Sequence, residues 1–481
     1  MSDEAADDAA TSDADGEYTG TDTDAVERVR ERCAEFAPAL GRTWTDDDPW
    51  RFLTDLTALG SRMAGSDGER RAAAVVADAF ERAGLEDVRT DPFELTAWER
   101  GDADLRVRVQ SRDDTERTRE FEALALPYSP SGRIEGELVD VGDGTPAEVD
   151  AADVAGRIAV ASTTTPPGSR FVHRMEKFGH AIEAGAKGFV FANHLDGQLP
   201  PTGSLTFGDE AEAVAVGVST ETGGWLREYA ANTPGPAASV ELDVTAATHV
   251  AESQNVIGRA GPETDERLLL LAHYDGHDIA EAALDNGCGI ATAVTAAGIL
   301  TEATLPIGVD VVAVGCEEVG LLGAERLAAT TALDRVRGVV NVDGAGRFRT
   351  LRALTHTSTA ARSVAEAVST ATRQPIEVKT EPHPFSDQWP FVRQGVPALQ
   401  LHSDSGERGR GWGHTHADTR DKVDDRNVRE HGMLAALLVA EFAAADRDPA
   451  RLDTDALADA FRDAGFETGM RAADLWPAAW E

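Results

Sequence analysis

A chain of 481 residues is too long for one ordinary core, and a hydrophobic share of 42% is enough to build two domains with tails. Asp and Glu total 85 against 45 Lys and Arg, for a net charge of -40; this excludes binding to nucleic acid or to an anionic membrane surface, both of which need a basic patch. The balance is that of a protein from an organism keeping molar salt in its cytosol, where a short Debye length screens repulsion among surface carboxylates.

Residues 1–24 hold nine acidic residues and no Lys or Arg, so they cannot bury enough apolar surface to fold and read as a disordered, solubilising tail. Residues 25–125 form the first part of the main domain. Clear patterning begins near Trp50, where Phe52, Leu53, Leu56 and Leu59 keep helical spacing up to the Gly60-Ser61-Arg62 stop. Ala72, Val75, Val76, Ala79, Phe80 and Ala83 line one face of a second helix closed by Gly84, and 88–93 follow as a strand.

Between 126 and 237 the texture changes. Short β-rich runs at 136–141, 156–160, 186–191 and 213–217 alternate with Pro and Gly turns, and one amphipathic helix spans 173–184. This reads as an inserted domain that sits beside the core and shapes access to it. Its His173, His180 and His194 have no carboxylate partner at motif spacing, so they read as packing or surface residues.

Residues 238–446 resume the main domain with a regular alternation. Strands at 255–259, 268–272, 309–315, 336–342 and 398–402 are interleaved with helices at 289–300, 320–329, 358–372 and 428–445. The fold class is α/β, a mostly parallel central sheet sandwiched by helices, with the β-rich domain inserted. Residues 447–481 carry one helix over 455–464 and a Trp-bearing tail. Cys33, Cys288 and Cys316 are too few and too scattered for a disulfide framework. With no charged-then-apolar leader and no apolar run of ~18 residues, the expectation is a soluble, cytosolic protein.

The chemistry stands at the strand ends. His273 in LAHYD, Glu317 and Glu318 in CEEVGLLG and Asp343 in NVDG follow the apolar runs 268–272, 309–315 and 336–342, and Asp285 in LDNGCG and His414 in GHTHADT complete the set. The carboxyl ends of parallel strands face the crevice of such sheets. Imidazole nitrogens and carboxylate oxygens are what a zinc-like ion accepts, and a carboxylate can bridge two ions. Asp275, two residues beyond His273, can orient the imidazole through its other nitrogen; His277 and Asp278 repeat the pattern and compete, but His273 has the strand end. Alone, Asp285 before a helix is an N-cap; beside His273 and Glu318 a bridging carboxylate is the better reading. One residue of the Glu pair can bind metal while the other accepts a proton.

The strings HYDG, LDNGCG, EEVGLLGAE, NVDG and HTHADTRDKVD, with SDQWPFVRQGVPALQL at 386–401, resemble in order and spacing the co-catalytic di-zinc aminopeptidase family that also contains glutamate carboxypeptidases and glutaminyl cyclases. GELVDVG, DVAGRIAVA and AIEAGAKGFVFAN resemble the protease-associated domain carried by many members. The resemblance implies a zinc exopeptidase-like fold and two zinc ions, with cobalt or manganese as fits. It places His273 and Asp343 on one ion, Glu318 and His414 on the other, and Asp285 between them. Glu317 becomes the general base and Asp275 the orienter of His273. The implied substrate is a peptide, hydrolysed at its N-terminal bond, with His383 or His402 as candidate oxyanion donors. Departures are Cys288 where Ser is usual, Gln388 where His is common, and Gly315-Cys316 ahead of the Glu pair. Alternatives on the same fold are a carboxypeptidase or glutaminyl cyclase, with Arg393, Arg408 and Arg410 as sources of a basic pocket, or a non-catalytic receptor or scaffold.

Overall fold

The computed structural model of the chain describes residues 23–110, 116–231, 238–406, 411–444 and 450–481. Its strands are β1 (Glu86–Gln110), β2 (Glu116–Glu122), β3 (Leu124–Ala125), β4 (Gly132–Asp140), β5 (Ile158–Ser162), β6 (Gly188–Ala192), β7 (Val214–Val218), β8 (Ala238–Ala260), β9 (Arg267–His273), β10 (Gly308–Val314), β11 (Val336–Val342), β12 (Leu351–Leu354), β13 (Ile376–Lys379) and β14 (Ala398–Ser403). Hydrogen bonding runs in the order β13-β12-β14-β11-β9-β10-β8-β4-β5-β6-β7-β3. At its heart β14, β11, β9 and β10 are parallel.

These central strands carry apolar residues on both of their faces because helices cover both. Leu268, Leu270, Val309, Val311 and Val340 point into one core with the helices Cys288–Leu300, Thr359–Thr372 and Asp425–Phe442. Their neighbours Leu269, Leu271, Val312 and Val339 point into a second, with Leu327 of the helix Leu322–Thr330 and with Trp389 and Phe461. The run Ala283–Leu300 is long and apolar enough to cross a membrane, which the sequence reading overlooked, and 89% of it is buried in the fold.

Two elements that join the domains were not expected from the sequence. The strand placed at 88–93 is β1, which runs from Glu86 to Gln110 and pairs antiparallel with β8 along nearly its whole length. Charged residues fill its outward positions, while Leu95, Trp98, Leu105 and Val107 are buried, so the charges masked a long alternating strand. Likewise β8 extends far beyond 255–259: its end pairs with β10 of the main sheet and its start with β4 of the inserted domain. The chain also forms a helix at Thr23–Thr43 where no element was expected, burying Ala25, Val26, Val29 and Phe36. Thr23 and Asp24 of the expected tail open that helix, and residues 1–22 lie outside the described residues.

The C-terminal segment has a place in the core. Phe461 and Trp480 pack on Trp389 with ring centroids 5.0 and 5.5 Å away. Arg170 of the inserted domain donates to the Gly465 carbonyl at 2.8 Å, so the segment touches both domains.

Candidate metal centre

The expected metal ligands, the Glu pair and Asp275 meet at the carboxyl ends of β9, β10 and β11. His273 closes β9, Asp275 and His277 follow in its loop, Glu317 and Glu318 follow β10, and Asp343 follows β11. His414 arrives from the loop beyond β14 and is held against the inserted domain. The Thr202 N–H donates to the His414 carbonyl at 2.9 Å, and His414 Nδ1 lies 3.2 Å from the Thr202 carbonyl. A carbonyl only accepts, so Nδ1 carries the proton and Nε2 is left to face the site.

Two groups of donor atoms form. His273, Glu317 and Asp343 make one; His277, Glu318 and His414 make the other. Asp285 stands between them, its carboxylate 3.6 Å from His273 Nε2 and 3.2 Å from His414 Nε2. His273 Nε2 lies 3.9 Å from Asp343 and 4.0 Å from Glu317, while His414 Nε2 lies 2.9 Å from Glu318. Asp275 Oδ1 lies 3.3 Å from His273 Nδ1, although β9 has ended before it. The Asp275 carboxylate also accepts the N–H groups of Glu317 and Glu318. It therefore fixes the backbone of the Glu pair and sets a negative charge beside the imidazole.

Asp285 is not a helix cap. It lies in the turn Ala283–Gly287 with non-helical backbone angles, and its peptide bond to Asn286 is cis. Asp418 of the HTHADT motif accepts the N–H groups of Leu284 and Asp285 at 2.6 and 3.1 Å, which sets the direction of the Asp285 side chain.

The donor set fits a divalent cation. Both ring nitrogens of His273 and of His277 are buried and have no hydrogen-bond partner. Buried polar groups left in that state cost free energy unless something else engages their lone pairs. The electrostatics separate the Glu pair. Burial works to raise Glu318, but His277 and His414 hold it well below the usual carboxylate range. Burial pushes Glu317 well above that range, with Asp343 and Glu318 adding to the rise and His273 opposing it. Two adjacent carboxyls driven apart in this way suit one ligand and one proton carrier.

Sequence reasoning set His277 aside in favour of His273, yet both enter the site, one in each group. It also missed two buried arginines. Arg347 Nη2 lies 2.6 Å from Asp285 and 3.6 Å from Asp343; the signal available was its position four residues after Asp343. Arg62 donates to the carbonyls of Tyr274, Glu281 and Ala282, spanning the loop that bears Asp275 and His277. Ser386 was noted only as part of a motif, and its hydroxyl donates to Asp343 at 2.7 Å.

Other expected residues lie elsewhere. Gln388 is fully buried and tied to Asn341, Gln400 and the His383 carbonyl in an amide network. His402 Nδ1 lies 3.1 Å from the Asp343 carbonyl, and burial pushes its pKa down to about 4. Arg393 is paired with Glu325 at 2.6 Å, and Arg408 and Arg410 lie outside the described residues. His173 caps the helix Arg174–Glu183 and stacks on Phe385, and His194 bonds to Thr163. The inserted domain closes one side of the centre: a cleft of about 280 Å3 runs between Phe171, Phe191 and Pro201 on its side and Gly413 and His414 on the other.

Residues 255–439 match the family model for Peptidase family M28, and residues 134–226 match that for the PA domain. The chain is 24% identical over 413 residues to Aminopeptidase YwaD of Bacillus subtilis (strain 168), covering 82% of this chain and 83% of that protein. Among solved structures, a Peptidase M28 precursor from Shewanella amazonensis SB2B superposes with a TM-score of 0.73 at 20% identity, covering 89% of this chain and 99% of that one. BSAP, a zinc aminopeptidase from Bacillus subtilis, superposes with a TM-score of 0.63 at 22% identity over 84% of this chain and 97% of its own.

Proposed function

Since the chain belongs to peptidase family M28 and carries a PA domain within it, we propose that it is a zinc-dependent aminopeptidase that hydrolyses the N-terminal bond of peptides. The observation that carries this reading is the pair of donor groups at the strand ends, sharing Asp285, with Glu317 beside one of them. His273 and Asp343 would hold one ion and Glu318 and His414 the other, with Asp285 reaching both. Zinc in such a site supplies Lewis acidity toward a carbonyl and makes water a nucleophile at neutral pH.

The remaining work falls to the chain. Glu317, reacting as its carboxylate, takes a proton from the attacking water and returns it to the leaving amine; burial raises its affinity for that proton. Asp275 lies against the His273 ring and, through two backbone N–H groups, sets the placement of Glu317 relative to it. The PA domain narrows the approach through the cleft beside His414. The paired state of Arg393 gives no support to a basic carboxypeptidase pocket.

Elemental analysis of zinc, together with hydrolysis of aminoacyl amides by wild type and Glu317→Gln, tests this reading. The expected result is equal zinc in both and a fall in kcat of at least ~100-fold in the variant. Equal turnover by the two proteins would remove Glu317 from its role.

The same proposal includes a cytosolic home at molar salt. It is supported by the excess of 85 acidic over 45 basic residues and by three free cysteines, two of them buried. The melting temperature should rise steeply from 0.1 to 2 M potassium chloride, as screening contracts from about 10 Å to under about 3 Å. A flat response would count against it.

A further inference from the structure

The two donor groups are not equivalent, and the difference lies in His277. This side chain is buried at 4% exposure, and its Nε2 lies 3.0 Å from the same Glu318 oxygen that His414 Nε2 approaches at 2.9 Å. The two imidazoles meet edge to face, with centroids 4.4 Å apart and planes at 82°, while both Nε2 atoms reach the same carboxylate oxygen. Neither His277 nitrogen has a hydrogen bond.

The direction of His277 is built into the backbone. The N–H of Gly276 donates to the Arg62 carbonyl at 3.2 Å, and a Cβ on Gly276 would meet Ala282 Cβ at 2.4 Å. The loop is thus pinned on both sides of the residue before His277. Among the described residues nothing comparable adds a ligand to the other group, where Glu317 has the role of proton carrier in the reading above.

Resting on the zinc peptidase reading above, we propose that His277 is a fourth protein ligand that closes the site of Glu318, His414 and Asp285. That site would then have four protein ligands, the number a retained, structural zinc takes, while His273, Asp343 and Asp285 would make a three-ligand site with a position open to water or substrate. Glu317 stands beside the open site, 4.0 Å from His273. The chain therefore holds one ion firmly and exchanges the other, and turnover follows occupancy of the second.

The test uses the full chain loaded with zinc, then incubated with a chelator and sampled over time by elemental analysis. Wild type should release one equivalent quickly and keep about one. His277→Ala and His277→Gln should release the second at least ~10-fold faster than wild type, with melting curves recorded to confirm folding. Gln is included because it still reaches Glu318 with a hydrogen bond but is a poor zinc ligand. If His277→Gln keeps its zinc as wild type does, His277 only positions Glu318 and the proposal falls. It also falls if wild type releases both ions at one rate. Failure to take up zinc at all would overturn the metal-centre reading itself, whereas asymmetric release without amide hydrolysis would overturn only the peptidase reading.

Discussion

Arg62 offers the sharpest test of how the centre is held. Its guanidinium is 1% exposed, and its three nitrogens donate to the carbonyls of Tyr274, Glu281 and Ala282 at 2.8, 2.6 and 2.9 Å. Burial lowers its pKa to about 10, with Asp418, Asp275, Glu318 and Glu281 opposing the fall, so it stays protonated at neutral pH. Hydrogen bonds to a charged group contribute about 1.5–3 kcal/mol each. Three of them come to roughly 5–9 kcal/mol, from which the cost of burying the charge must be subtracted. Arg62→Met should therefore destabilise the fold by about 3–5 kcal/mol, the range seen when one partner of a buried charged group is removed. Arg62→Lys keeps the charge, but a compact ammonium cannot span three carbonyls as the planar fork does, so it should recover less than half of that loss. Urea unfolding gives the stability change. In both variants the loop bearing Asp275 and His277 is released, and zinc affinity should fall at least ~10-fold, as it does when groups supporting metal ligands are removed. A lysine variant within 0.5 kcal/mol of wild type, about the scatter of neutral surface changes, and with unchanged zinc affinity would refute the clamp.

Two further outcomes follow from buried contacts. The Gly346 N–H donates to His431 Nδ1 at 2.8 Å, while His431 Nε2 faces the Arg349 carbonyl at 3.2 Å, so this imidazole is neutral; burial lowers its pKa to about 4. Its contribution is complete above the unfolded value of about 6.5 and is lost as pH falls toward 4, which amounts to about 2 kcal/mol by pH 5. His431→Gln should flatten the loss of stability between pH 7 and 5 by that amount, and an unchanged slope would remove His431 from the account. At Gly179 a Cβ would sit 2.0 Å from the Ala472 carbonyl, so Gly179→Val must push the C-terminal segment off the inserted domain. The cost should be about 1–3 kcal/mol, with faster tryptic cleavage near Arg451 and Arg462; cleavage at the wild-type rate would mean the segment is held by its contacts to Trp389 alone.

Much of the centre could be read before folding was considered. His273, Glu318 and Asp343 are ligand types standing beside apolar runs, and in a parallel sheet the ends of such runs face one crevice; Asp285 and His414 were legible as ligand types within their motifs. The Glu pair was legible because adjacent residues can take different partners. His277 was weighed and set aside, since spacing alone favoured the strand end; only the loop between Gly276 and Ala282 turns it toward Glu318. Arg62 and Arg347 carry no motif, because their partners are backbone carbonyls and carboxylates from distant segments. The helix Thr23–Thr43 and the length of β1 were hidden by charge, since a half-buried element in so acidic a chain shows polar residues at most positions.

What the sequence by itself determined was the alternation of apolar runs and helical faces, and hence the α/β sheet, the inserted domain and the ligand types at its strand ends. These depend on neighbours within one turn or one strand. The tertiary structure alone decided which histidine joins which donor group, how β1 and β8 carry one sheet into the other, and how the PA domain comes to lie against His414. Those outcomes depend on contacts between residues as far apart as Thr202 and His414, and such contacts arise from packing that no local pattern encodes.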